Sequence, residues 1–197
     1  TTVTNSGTFT NETGGRTGAV TNTATGTFTN NGTTGAFTNS GRLTNNGTLA
    51  SLDNFGTAVN NGTISGDIVN ETGGTFTNNA NGAFTNFTND GTAYNTGNIT
   101  GGTIVNNGTA NNSGSITGGT VTNNGTVNNS GSITTTLTNN SSGTFNNSGT
   151  TGAATNAGTW NNASGANTGA IRNSGTLTNS SGGFIGSIAS NTGTVIN

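Results

Sequence analysis

The amino-acid sequence predicts an all-β protein, a single-chain β-solenoid (β-helix) with about three short strands and roughly 17 residues per coil. Three observations predict this fold. A segment is duplicated with a 17-residue period, apolar residues recur every five or six positions, and Asn-Gly or Ser-Gly pairs stand between them. We expect residues 1–197 to form one continuous solenoid segment of about eleven or twelve coils, excerpted from a longer protein.

The duplication defines the coil. Residues 100–116 (TGGTIVNNGTANNSGSI) and 117–133 (TGGTVTNNGTVNNSGSI) match at 14 of 17 positions. Within them, seven apolar residues are separated by 5, 6, 6, 5, 6 and 6 positions, a spacing that fits neither an amphipathic helix nor a heptad. We expect these residues to form the structural core stack: Ile99, Ile104, Ala110, Ile116, Val121, Val127 and Ile133.

The strands and corners follow from shorter motifs. Triplets such as Thr8-Phe9-Thr10 alternate polar and apolar side chains, as a half-buried strand does. Between the strands, the corner pairs Asn107-Gly108 and Asn124-Gly125 contain residues that tolerate positive φ, which predicts sharp turns. Stacked corner asparagines are expected to form amide ladders along the rod.

Spacing is looser outside the duplication, as in the 11 residues from Phe9 to Val20, which predicts insertions at corners. Such insertions are where a binding specialisation would most easily lie. Because the repeat is less uniform than a strict hexapeptide pattern, we favour a right-handed coil over a left-handed one.

Composition excludes several classes of protein. The chain has 47 Thr, 39 Asn and 36 Gly but no Cys, His, Lys or Pro, so disulfides and Cys-based zinc sites are impossible. Three Arg and five acidic residues leave a net charge of -2, too few cations to bind nucleic acid or an anionic membrane. A disordered low-complexity chain is the alternative, but disorder would not keep the apolar residues in phase.

Side chains that could act in acid/base catalysis or bind a metal ion are few. Acid/base catalysis would need a convergent pair of carboxylates, and Asp53, Asp67, Glu71 and Asp90 show no partner that would tune them. The TGGT segments lack the repeated Asp of calcium-binding β-rolls. Asn-x-Thr tripeptides such as Asn107-Gly108-Thr109 follow from the corner motif itself. We therefore predict a non-enzyme with no catalytic residues, no cofactor and no metal site.

A similar repeating pattern occurs in GRLTNNGTLA from Gly41, GTAVNNGTISG from Gly56 and GSITGGTVTNNGTVNNSGSI from Gly114. This pattern resembles the passenger regions of bacterial autotransporters and filamentous-haemagglutinin-like exoproteins. The resemblance covers almost the whole chain and lies in composition and rhythm, so no functional residue carries over. It implies a β-helical stalk exported through the outer membrane to the cell surface, with roles in adhesion, aggregation or biofilm formation.

These observations lead to one functional expectation with two alternatives. We expect a structural or adhesive segment of a secreted or cell-surface bacterial protein, which contacts host or bacterial cell surfaces, glycans or copies of itself, without binding nucleic acid or inserting into a membrane. The first alternative is an ice-binding (antifreeze) solenoid that uses ranks of Thr. The second is a polysaccharide-binding or polysaccharide-active β-helix fragment, which would need Asp53, Asp67 or Asp90 to converge.

Overall fold

A computed structural model describes residues 1–79, 84 and 86–197. The described chain is a parallel β-solenoid of about 11 coils, so the predicted fold class is confirmed. In chain order, its strands are β1 (Val3–Asn5), β2 (Thr8–Asn11), β3 (Arg16–Thr17), β4 (Val20–Asn22), β5 (Thr27–Asn30), β6 (Thr33–Asn39), β7 (Arg42–Asn45), β8 (Thr48–Asn54), β9 (Thr57–Asn60), β10 (Thr63–Ile64), β11 (Asp67–Asn70), β12 (Thr75–Asn78), β13 (Asn86–Asn89), β14 (Thr92–Asn95), β15 (Asn98–Thr100), β16 (Thr103–Asn106), β17 (Thr109–Asn112), β18 (Ser115–Thr117), β19 (Thr120–Asn123), β20 (Thr126–Asn129), β21 (Ser132–Ile133), β22 (Thr136–Asn139), β23 (Thr144–Asn147), β24 (Thr150–Thr151), β25 (Ala154–Asn156), β26 (Thr159–Asn162), β27 (Asn167–Asn173), β28 (Thr176–Asn179), β29 (Phe184–Asn191) and β30 (Thr194–Ile196).

The strands form three faces that run along the rod. Face B is a sheet of 12 parallel strands, from β2 and β5 to β28 and β30. A second sheet of 18 strands bends around one corner and supplies two faces. Face A contains four-residue strands such as β16 and β19, and face C contains short strands such as β18 and β21. Four long strands, β6, β8, β27 and β29, continue from face C into face A, which joins the two faces into one sheet.

Residues one coil apart lie directly above one another. On face C, Ile116 is paired in register with both Ile99 and Ile133. On face A, Ile104 is paired with Val121, and on face B Ala110 is paired with Val127. The predicted 17-residue register therefore describes all three faces of the duplicated segment.

A thin apolar core fills the rod. In several coils, the sizes of the inward side chains on faces B and C are complementary. Where face B supplies a buried Phe28 or Trp160, the same coil has Thr34 or Thr168 on face C. Where face B supplies Ala58, face C supplies Ile64. In these coils a large side chain on face B lies opposite a small one on face C, because the three faces enclose a limited width. The coil of Phe76 differs, since it packs this ring against the buried rings of Phe84 and Phe87.

Two asparagine ladders run through the interior along the full length of the described stack. The four-residue strands have the form x-apolar-x-Asn, most often with Thr at the first position, so the Asn points to the same side as the apolar residue. On face A every Asn Nδ2 donates to the Oδ1 of the next coil, at 2.7 to 2.8 Å, through Asn5, Asn22, Asn39, Asn54, Asn70, Asn89, Asn106, Asn123, Asn139, Asn156, Asn173 and Asn191. The face B ladder has the same direction, at 2.7 to 3.1 Å, through Asn11, Asn30, Asn45, Asn60, Asn78, Asn95, Asn112, Asn129, Asn147, Asn162, Asn179 and Asn197.

The interior amides also hold the corners. Asn106 Nδ2 donates to the backbone carbonyls of Gly108 in its own coil and of Thr126 in the next. Buried polar groups are costly unless they are hydrogen-bonded, and each ladder amide meets that requirement with bonds inside its coil and across to the next coil.

The predicted Asn-Gly corners turn without positive φ, which corrects the sequence-based expectation. Gly108 and Gly125 are not among the glycines with positive φ, and no described non-glycine residue has positive φ. A Cβ on Gly125 would instead lie 2.2 Å from the carbonyl oxygen of Gly108 in the preceding coil. Glycine is therefore required by the close approach of stacked backbones. Among the described residues, positive φ occurs at the Gly-Gly corners 101–102 and 118–119 and in four-residue corners such as 12–15.

Among the described residues, four-residue corners occur on two of the three edges. Four-residue corners closed by a turn hydrogen bond include residues 23–26 and 140–143 between faces A and B, and 12–15 and 180–183 between faces B and C. Between faces C and A, the Gly101-Gly102 corner has two residues, as the equivalent corner 134–135 has. The insertions thus do not gather along one binding edge. The described residues contain no helix that is long and apolar enough to cross a lipid bilayer.

Candidate functional site

The predicted core-stack residues are distributed over the three faces. Ile99, Ile116, Ile133, Ile104, Val121 and Val127 are buried, and Ala110 is half-buried against the same cluster. They lie inside the rod, so they support the outer surface and do not contact a ligand.

The predicted corner asparagines form an exposed ladder. Asn124 Nδ2 donates to Asn107 Oδ1 at 2.7 Å, and Asn107 Nδ2 donates to Asp90 Oδ1 at 2.6 Å. Asn140 extends the row by donating to Asn124. Donation runs toward the N-terminus, opposite to the interior ladders. The first position therefore only accepts, which suits the carboxylate of Asp90.

The aspartates of the polysaccharide-active alternative occupy three different positions. Asp53 and Asp67 both project from face A, but Asp53 is paired in register with Val69 while Asp67 is paired with Asn86, whose Nδ2 donates to it at 2.8 Å. Asp90 lies on the corner after face A. Across the part of the chain that the structure describes, no group of three or more acidic residues could hold a metal ion.

A rank of threonines covers one edge of face B. At the outward position before each inward apolar residue, eleven of the twelve face B strands carry Thr, and Arg42 is the exception. The sequence analysis considered ranks of Thr only for the ice-binding alternative and did not assign a nearly continuous rank to one face. The rank was hidden because its positions are separated by 15 to 19 residues and not by a constant coil length.

A groove of about 510 Å³, lined mainly by Asn and Ser residues, runs along the C-terminal half of face B. One wall is a second exposed amide ladder, in which Asn128 donates to Asn111, Asn146 to Asn128 and Asn161 to Asn146, at 2.8 to 2.9 Å. The other wall consists of the corner residues Thr96, Ser113, Ser130, Ser148, Ala163 and Ser180. Tyr94, which is 45% exposed, stands at the N-terminal end of the amide wall.

The groove results from an exchange of side-chain sizes along face B. In the N-terminal half, the outward position carries short residues such as Thr29 and Thr44, and the corner carries long Asn31 and Asn46. In the C-terminal half, the outward position carries long Asn128 while the corner carries short Ser130. The long side chain therefore moves from the corner onto the face, and the short corner row opens the groove beside it.

A cavity inside the described part of the rod is much smaller than the groove. This cavity of about 40 Å³ near Phe76, Ala93 and Ala110 could hold no more than about one water molecule. In comparisons with protein-family models, curated proteins and solved structures, no match to this chain was found.

Proposed function

We propose that this chain is a structural and adhesive segment of a secreted or cell-surface bacterial protein, in which a stiff rod presents repeated hydrogen-bonding side chains to a cell surface, to glycans or to copies of itself. The observation that carries the proposal is the pair of interior Asn ladders, which link every described coil to the next. A rod held in this way along its whole length keeps outward residues at a fixed spacing of about 4.8 Å per coil.

The outer surface is consistent with multivalent contact. It bears only three Arg and five acidic residues, while its outward ranks are mainly Thr, Asn and Ser. Weak contacts that repeat along a rigid support reinforce one another when they engage together, so single-site affinity need not be high.

Adhesion can be tested by displaying the full chain on bacterial cells. We expect these cells to be retained on an epithelial surface, or to aggregate with one another, several times more than cells that display a scrambled chain of the same composition. Equal retention and equal aggregation by the two would contradict the proposal, because composition alone would then account for the contacts.

Ice binding is a second candidate, favoured by the threonine rank on face B. In coils with Thr8 and Thr10, or Thr27 and Thr29, both outward positions carry Thr, so the first coils present two parallel rows. Regularly spaced hydroxyl and methyl groups on a flat face could order water. The candidate predicts thermal hysteresis for the full chain that is lost in Thr27→Lys and retained in the face A control Thr120→Lys. Absence of hysteresis in the full chain would eliminate it.

A further inference from the structure

We propose that the groove on face B binds a single extended chain of a neutral linear polysaccharide, with Tyr94 stacking on a sugar ring and the Asn111 to Asn161 ladder hydrogen-bonding to successive sugar hydroxyls. This inference deepens the adhesive function proposed above and rests on it. It gives that function a specific surface and a specific class of glycan.

The groove carries no charge. Its fifteen lining residues are Tyr, Asn, Thr, Ser and Ala, without a single Arg, Asp or Glu. A phosphorylated, sulfated or uronic acid chain would find no cation to neutralise it, whereas neutral hydroxyls can pair with amides and hydroxyls directly.

The amide wall has unused hydrogen-bonding capacity in every coil. A side-chain amide offers two N–H groups and two acceptor lone pairs, and the ladder uses one of each at Asn128 and Asn146. Asn111 Nδ2 donates to no described residue, because its neighbour in the preceding coil is Tyr94. Each coil therefore presents at least one donor and one acceptor.

The opposite wall is less available for direct bonding. The hydroxyls of Ser113 and Ser130 donate to the backbone carbonyls of Asn95 and Asn112 in the preceding coils. These hydroxyls retain acceptor capacity, but their main contribution is small size, which leaves room for a chain beside the amides.

The spacing and the aromatic end favour an extended chain. Ladder positions repeat at about 4.8 Å along a straight axis. A β-1,4-linked glucan in its extended form advances by a similar step, whereas an α-1,4-linked glucan curls away from a straight groove. Tyr94 places an exposed aromatic face at the end of the row, where it can pack on the apolar face of a pyranose ring.

The chain has one tyrosine, so tyrosine ring signals report on Tyr94 alone. Titration of the ring-labelled full chain with cellohexaose is expected to shift the Tyr94 ring resonances saturably in NMR spectra. Maltohexaose, with the same number of glucose units, is expected to shift them at least about tenfold less at equal concentration. Absence of a saturable shift with cellohexaose, or equal shifts with the two sugars, would overturn the proposal.

Matched variants locate the contacts. By calorimetry with cellohexaose, Tyr94→Thr and Asn128→Thr, which install the residue that the same rank carries in earlier coils, are each expected to weaken binding by about tenfold. Thr29→Ala, in the same rank but outside the groove, is expected to leave affinity unchanged. Equal losses in all three variants would contradict a groove site.

The adhesion assay separates this inference from the function on which it rests. If cellohexaose does not bind while displayed chains still retain cells, the groove assignment is wrong and the adhesive function stands. If cellohexaose binds as expected but displayed chains retain no cells, the groove is established and the adhesive function fails.

Discussion

At the scale of single residues, the asparagines divide into an inner and an outer population with different roles. Asn106 is buried and bonded in the interior ladder, whereas its neighbour Asn107 is exposed and belongs to the corner ladder. Both side chains bond to the coils before and after them. The two residues differ in their exposure to water. Water can replace a lost hydrogen bond at Asn107 but not at Asn106.

This difference predicts unequal effects for two adjacent substitutions. Asn106→Ala removes the donor to the buried Asn123 Oδ1 and the side-chain acceptor of Asn89 Nδ2, and it interrupts the ladder at a site that solvent cannot reach. We therefore expect a loss of about 2 to 5 kcal/mol in the free energy of unfolding. Asn107→Ala is expected to cost no more than about 0.5 kcal/mol. Urea denaturation followed by circular dichroism measures both, and equal losses would refute an interior ladder that stabilises the stack.

Corner glycines provide a second residue-scale prediction. Gly125→Ala would place a Cβ against the Gly108 carbonyl, so we expect destabilisation by about 1 to 3 kcal/mol. Gly7 belongs to the same type of corner, but a Cβ there meets nothing within 4 Å. Gly7→Ala is therefore the matched control, expected to be neutral or slightly stabilising. If both substitutions destabilised equally in thermal melts, backbone conformation and not interlayer contact would explain the glycines.

Much of this residue-scale detail was not predicted from the sequence. The Asn-Gly pairs correctly marked the corners, but their glycines were assigned to positive φ because a single coil does not reveal how closely the next coil approaches. The interior ladders were missed because Asn is usually a surface or turn residue. The signal was present nonetheless, since Asn stands two positions after Ile104 and Val121 and must share their face in a strand.

At the scale of the strand and the coil, packing depends on complementary volumes on opposite faces. The interior of one coil is filled either by a large residue on face B and a small one on face C, as with Phe28 and Thr34, or by the reverse, as with Ala58 and Ile64. Thr34 also satisfies its buried hydroxyl by donating to Asn30 Oδ1 at 3.0 Å. The pairing is thus both steric and polar.

Substitutions that convert the first arrangement into the second test whether the two positions share one volume. We expect Phe28→Ala to cost about 3 to 5 kcal/mol through a cavity, and Thr34→Ile to cost about 1 to 3 kcal/mol through overpacking. The double variant reproduces the Ala58 and Ile64 arrangement, so its loss should be smaller than the sum by about 1 kcal/mol or more. Strict additivity in chemical denaturation would show that the two positions do not share one volume.

Strand existence and coil length were predictable because period-2 alternation and the 17-residue duplication are local signals. The groove was not. It depends on which of two neighbouring outward positions, such as Asn128 and Ser130, carries the longer side chain in each of five successive coils. That comparison requires the register of the whole stack, and the irregular corners hide it in the linear sequence.

At the scale of the whole molecule, the described chain is a rod in which the backbone and two amide ladders connect every coil to the next. Eleven steps of about 4.8 Å give a length of about 53 Å. A single coil could not offset the entropy of ordering its 17 residues, so stability must arise from the interfaces between coils. Vertical alignment is therefore the claim on which the core, the ladders, the threonine rank and the groove all depend.

Distances between spin labels test that alignment most directly. The sequence has no cysteine, so labels can be placed by Thr57→Cys with Thr126→Cys, and by Thr57→Cys with Thr194→Cys, all on the face B threonine rank. Double electron–electron resonance should give narrow distributions near about 19 Å for four coils and about 38 Å for eight, in proportion to coil number. Broad distributions, or distances that do not double between the two pairs, would contradict the stacked solenoid.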